Sequence, residues 1–164
     1  MERNTEEVTY NTIRHAKFLA RKLTGCSSDL VIRIALKETG IPSARDGFHY
    51  SLNAIKLLIA NPASKLNNGI YVAVGLLRKP PAEARAVETA IRFVIRYAWK
   101  RRVKENWRYY FMTEDLDHGP CPTNREYLMA IADFVELWKG CCEEVRNERM
   151  ESGRSPQEMG EAAL

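Results

Sequence analysis

The segment "VETAIRFVIRYAWKRR", Val87–Arg102, decides how the rest of the chain is read. Its basic residues are Arg92, Arg96, Lys100, Arg101 and Arg102, and its only acid is Glu88. At 100° per residue, Val87, Ile91, Val94 and Ala98 fall on one narrow stripe, which Ala90, Ile95 and Tyr97 widen. Opposite lie Arg85, Glu88, Thr89, Arg92, Arg96 and Lys100, within about one third of the circumference. The spacing predicts a helix over about 82–102. Its apolar side would be held on a core, and its polar arc would be left free.

The charge around this helix is concentrated. From Arg78 to Arg108, ten Arg and Lys stand against three Glu, a local balance of +7. The whole chain has a formal net charge of +4, so the remainder sums to −3. A block of this kind suits a polyanionic partner. A solvated outer face is the plainer alternative.

Composition sets the outer limits. A chain of 164 residues suits one domain, and an apolar fraction of 45% is enough to bury a core. No stretch reaches the roughly 20 apolar residues that cross a bilayer. The N-terminus "MERNTEEVTY" is polar and acidic, without the apolar core of a secretory signal, so a cytoplasmic protein is expected. Cys26, Cys121, Cys141 and Cys142 show no C-x-x-C spacing, and the adjacent pair is poor geometry for one tetrahedral metal. "HGPC" brings His118 near Cys121, but no second matched pair follows. Free thiols are expected, with no metal and no cofactor. His15, His49 and His118 are scattered and have no visible Ser, Cys or carboxylate partner, so no enzyme is read here.

The whole chain reads as helices. Residues Asn4 to Leu23 carry an apolar stripe, with Asn4 and Glu7 spaced as a capping box. Ser27, Ser28 and Asp29 offer caps for a second helix, which Gly40 and Pro42 close. A third is expected over Arg45 to Ala60, ending at Asn61-Pro62, with Leu52, Ile55 and Ile59 inward. A fourth should run from about Lys65 to Leu77, with Ile70, Val74 and Leu77 inward. Pro80 or Pro81 suits the first turn of the fifth. After the aromatic "NWRYYF" and the loop "EDLDHGPCP", Thr123 and Glu126 mark a capped start. That last helix is expected to reach about Trp138 or a few turns further. The expected fold is all-α, a compact bundle of six to seven helices.

A shorter helix, a break and a basic amphipathic helix have the form of a helix-turn-helix, whose second helix lies in the DNA major groove. There Arg bonds guanine in bidentate fashion, Glu accepts from cytosine, and cations at the ends hold phosphates. Glu88 stands four residues before Arg92, so the two can equally form an ordinary ion pair. Arg101, Arg102 and Lys104 are either solvated or phosphate-binding. Tyr50, Trp99, Trp107, Tyr109 and Tyr110 are read as core packing, and Gly40 and Gly47 as turn and close-approach positions.

Three runs carry a family resemblance: "KETGIPSARDGFHYSLNAI", "VETAIRFVIRYAWKR" and "PTNREYLMAIADFV". In this order, over about Asp29 to Trp138, the chain resembles the C-terminal DNA-binding domain of the master sporulation response regulators. The resemblance implies a six-helix fold with a helix-turn-helix and a transcription factor that reads a short TGTCGAA-like box in double-stranded DNA. It also implies RNA polymerase or a sigma factor as a partner, and a homodimer on tandem sites. The recognition helix would match Ala84 to Lys100, with Glu88, Thr89 and Arg92 facing bases. Arg78, Lys79, Arg85, Arg96, Lys100 and Arg101 are the candidate phosphate contacts. The family has Arg where this chain has Ala86 and Thr89, and the turn "RKPPAEAR" is about two residues longer than the family's. Only about 28 residues precede the resemblance, too few for the receiver domain of such regulators. The expected organisation is a helical extension over 1–26, the DNA-binding domain over 27–140, and a helix end with a mobile polar tail over 141–164. The competing reading is a protein-interaction module that kept the fold and lost DNA binding.

Overall fold

The computed structural model describes residues 5–61, 68–112 and 115–153. Among them are seven helices and no strand: α1 (Thr5–Leu23), α2 (Ser28–Glu38), α3 (Asp46–Ala60), α4 (Asn68–Leu76), α5 (Ala84–Lys100), α6 (Lys104–Trp107) and α7 (Asn124–Glu151). The expected cap at Asn4, the helix start near Lys65 and the tail beyond Gly153 lie outside the described residues.

α3 lies at the centre and packs on α2, α4, α5 and α7. Gly47 makes its contact with α5 possible. A Cβ there would stand 2.4 Å from the Ala90 carbonyl oxygen and 2.7 Å from Val94 Cγ1. Gly75 lets the segment that follows α4 come equally close to it, because a Cβ there would meet the Ala82 carbonyl at 2.1 Å. The Ala82 N–H donates to the Gly75 carbonyl at 3.0 Å and so folds the α4–α5 connection back on itself. That connection spans residues 77–83, and α4, the connection and α5 form the helix-turn-helix.

The ends of the helices follow local chemistry. Gly40 sits at φ +89°. Its N–H bonds the Lys37 carbonyl at 3.0 Å while that of Ile41 bonds Leu36 at 2.9 Å, a Schellman closure of α2. Thr123 and Glu126 form the expected reciprocal box at the start of α7. Pro80 and Pro81 do not enter α5: Glu83 is the cap and the helix starts at Ala84. The Gly75–Ala82 bond holds the two prolines in the turn instead.

Burial corrects three further positions. Leu77 is 62% exposed because it lies past the end of α4, in the turn. Ile59 is only half-buried, and Leu58 takes the inward place on α3. Tyr97 is exposed rather than part of the apolar stripe of α5, where Trp99 is buried instead.

α7 is the spine of the bundle and continues without a break through residue 140. α1 lies along it, with Ala16, Leu19 and Ala20 buried from one side and Cys141, Cys142 and Val145 from the other. A polar cluster also ties α1 to the bundle. His15 Nε2 is 3.0 Å from Glu38 Oε2, which accepts from the Tyr110 hydroxyl at 2.9 Å, and the imidazole stacks on Tyr109 at 3.9 Å. His15 thus has a carboxylate partner that sequence spacing did not show. Burial and the Glu38 charge push the Tyr110 phenol well above its usual range.

The aromatic piece after α5 is core, as its composition suggests. Trp107 is fully buried between Trp99, Phe111 and Tyr127. Tyr127 in turn meets Thr39 Oγ1 at 2.5 Å, while Thr39 donates to the Ala35 carbonyl at 2.9 Å. This link fixes the end of α2 to the middle of the bundle.

Gly47→Ala places a methyl against backbone that has no room to yield. Chemical denaturation should show a loss of about 1–3 kcal/mol or more. Gly140→Ala is the control, because a Cβ there meets nothing within 4 Å.

Candidate nucleic-acid interface

α5 is held by Val87, Ile91, Val94, Ile95 and Ala98, all buried. Its other side borders a shallow concavity of about 1030 Å³. Arg85, Glu88, Thr89, Arg92, Phe93, Arg96, Tyr97, Lys100 and Arg101 line it from α5. Thr123, Asn124 and Arg125 line it from the start of α7. The sequence-predicted residues 85, 88, 89, 92, 96, 100 and 101 are therefore brought to one surface. Lys79 is exposed in the turn, and Arg78 lies elsewhere.

Two features at the start of α7 add positive charge to this surface. The capped N-terminus of α7 adds the positive end of a helix dipole. Arg125, in the first turn of α7, adds a further cation. Sequence reasoning missed Arg125 because nothing local connects it with α5. The junction is set by Asn124, which is buried and whose Nδ2 donates to the Glu88 carbonyl at 3.1 Å. Tyr71 of α4 stands behind it, and burial pushes its phenol upward.

The cations divide into two groups. Arg102 donates from Nε to the Leu116 carbonyl at 2.8 Å and from an Nη to that of Trp99 at 2.7 Å, and it stacks on the Trp99 ring at 3.9 Å. Arg78 bonds Asp46 at 3.0 Å and the Tyr50 hydroxyl. Lys104 pairs with Asp117. Arg101 lies 3.8 Å from the Tyr97 ring centroid. Arg92 donates to the Pro122 carbonyl at 2.7 Å rather than to Glu88. By contrast, Lys79, Arg85, Arg96, Lys100 and Arg125 make no hydrogen bond or ion pair to another described residue. These five are solvated, so a polyanion can engage them without first breaking an internal bond.

The exposed arc is not wholly polar. Phe93 is 52% exposed and Tyr97 37%. Helical arithmetic already contained this signal, because Phe93 falls about 20° from Lys100 on the wheel. The expected separation of polar and apolar sides holds for the core stripe but not for the arc.

The described residues form an all-helical domain with a helix-turn-helix, whose second helix is basic and lies beside a capped helix N-terminus. Residues 32–135 match the family described as Sporulation initiation factor Spo0A C terminal. The match covers more than half of the chain, and the chain belongs to that family of DNA-binding regulatory domains. Among the described residues no helix is long and apolar enough to cross a membrane.

The division of the cations can be read by unfolding. Arg102→Ala should cost about 1.5–3 kcal/mol in urea, as expected for hydrogen bonds to a charged group. Arg96→Ala should stay within about 0.5 kcal/mol of the parent.

Proposed function

We propose that the chain is a sequence-specific DNA-binding transcription regulator, with α5 inserted in the major groove. The observation that supports this reading best is the open arc of α5 beside the α7 N-terminus. The helix is about 25 Å long and a single α-helix wide, dimensions that a major groove of about 12 Å accepts. Glu88, Thr89 and Arg92 lie on its groove-facing side, as base contacts require. Lys79, Arg85, Arg96 and Lys100 flank them as phosphate contacts, and the first turn of α7 adds Arg125.

Arg92 has a particular place in this reading. Its bond to Pro122 leaves further guanidinium N–H groups for a guanine edge. The internal bond then sets the side chain's direction before DNA arrives, which lowers the ordering cost of the contact. Ala86 and Thr89 supply no charge, so Arg85, Arg96 and Lys100 must provide the electrostatic attraction near them.

The test is selection of duplexes from a random pool, followed by titration of the best duplex across salt concentrations. Arg92→Ala should cost about 1–3 kcal/mol in binding and relax preference at one position. Lys100→Ala should weaken all sequences alike and reduce the salt slope by about 1. Failure to enrich any sequence, with no affinity for duplex at low salt, would refute the proposal.

A further inference from the structure

Phe93 stands on the crest of α5. It lines the concavity on the α7 side and also a second one on the α3 side, bordered by Arg45, Asp46 and Gly47. Tyr97 follows one turn later, its ring centroid 6.5 Å away. Each ring carries a guanidinium over one face: Arg45 at 5.8 Å from Phe93 and Arg101 at 3.8 Å from Tyr97. These cation–π contacts hold the rings in place while the helix surface stays open. The core does not need Phe93, because Val94, Ile91 and Ile95 already seal α5 against the bundle.

A phenyl ring offers no hydrogen-bond donor or acceptor. On the crest of a helix in the major groove, it can read only an apolar group. The base edges present one such group, the 5-methyl of thymine. Phe93 also lies four residues after Thr89, so its ring and the Thr89 methyl share one side of the helix. We infer that Phe93 is a specificity-determining residue that packs on a thymine 5-methyl, with Tyr97 as a ledge on its C-terminal side. This inference rests on the DNA-binding reading above and names what the middle of the arc recognises.

Deoxyuridine tests it, because it keeps every hydrogen-bonding group of thymine and removes only the methyl. The best duplex from the random-pool selection is resynthesised with deoxyuridine at one thymine position at a time, and the full chain is titrated against each. At one position the parent protein should lose about three- to tenfold in affinity. Phe93→Ala should lose a similar factor on the thymine duplex and lose nothing more on the deoxyuridine one. Lys100→Ala should bind more weakly yet keep the full discrimination. Phe93 is exposed, so its replacement leaves the core intact, which the unchanged urea midpoint verifies.

Equal affinity for all the deoxyuridine duplexes overturns the inference. So does a Phe93→Ala protein that discriminates as the parent does, since another residue would then read the methyl. In both cases, duplex binding that still weakens on Lys100→Ala leaves the DNA-binding reading standing. Absence of duplex binding overturns both.

Discussion

The close approach of α5 to α3 and α4 is the constraint on which the cationic surface depends. Two glycines set that distance. At Gly47 the backbone of α5 lies where a Cβ of α3 would otherwise be, and at Gly75 the α4–α5 connection, through the Ala82 carbonyl, takes the place of a Cβ of α4. With these contacts made, Val87, Ile91, Val94, Ile95 and Ala98 fill the space beneath α5, and its rotation about its own axis is fixed. Fixing the rotation decides which residues face out. A turn of the helix by one residue would put Arg92 and Arg96 in the buried places of Ile91 and Ile95 and expose Val94, which desolvation of the guanidinium groups forbids.

The same packing sorts the basic residues by role. Arg102, Arg78 and Lys104 are tied to carbonyls, carboxylates or rings and hold the turns that flank α5. Arg85, Arg96, Lys100 and Arg125 stay solvated around the concavity. The part-buried bonds of Arg102 contribute to folding, the exposed pairs of Arg78 and Lys104 mainly neutralise charge, and a solvated cation contributes mainly to attraction of an anionic partner. The local balance of +7 therefore overstates the charge available for binding, and the free part is concentrated along one helix and its neighbour's first turn.

Local chemistry was legible in the sequence. The α5 stripe, the Thr123–Glu126 box and the Gly40 closure each depend on residues within a few positions of one another. Contacts made across the chain were not. Arg78 meets Asp46 32 positions away, Arg92 meets Pro122 30 away, and His15 meets Glu38 23 away. Arg125 joins the interface only because Asn124 docks against the Glu88 carbonyl, a tertiary fact. Helix ends were the weakest readings. Leu77 and the two prolines fell outside the helices because a backbone bond from Ala82 to Gly75 sets the turn, and no side-chain pattern encodes it. Phe93 is a different case: its position on the wheel is readable in the sequence, as an apolar residue on an otherwise polar arc.

Amide hydrogen exchange of the full chain, with and without a selected duplex, tests the central claim most directly. Bound duplex should slow exchange along residues 85–101 and at 123–125, and should leave α1 and the second half of α7 unchanged. Protection centred on α1 instead, with α5 exchanging as in the free protein, would contradict the account.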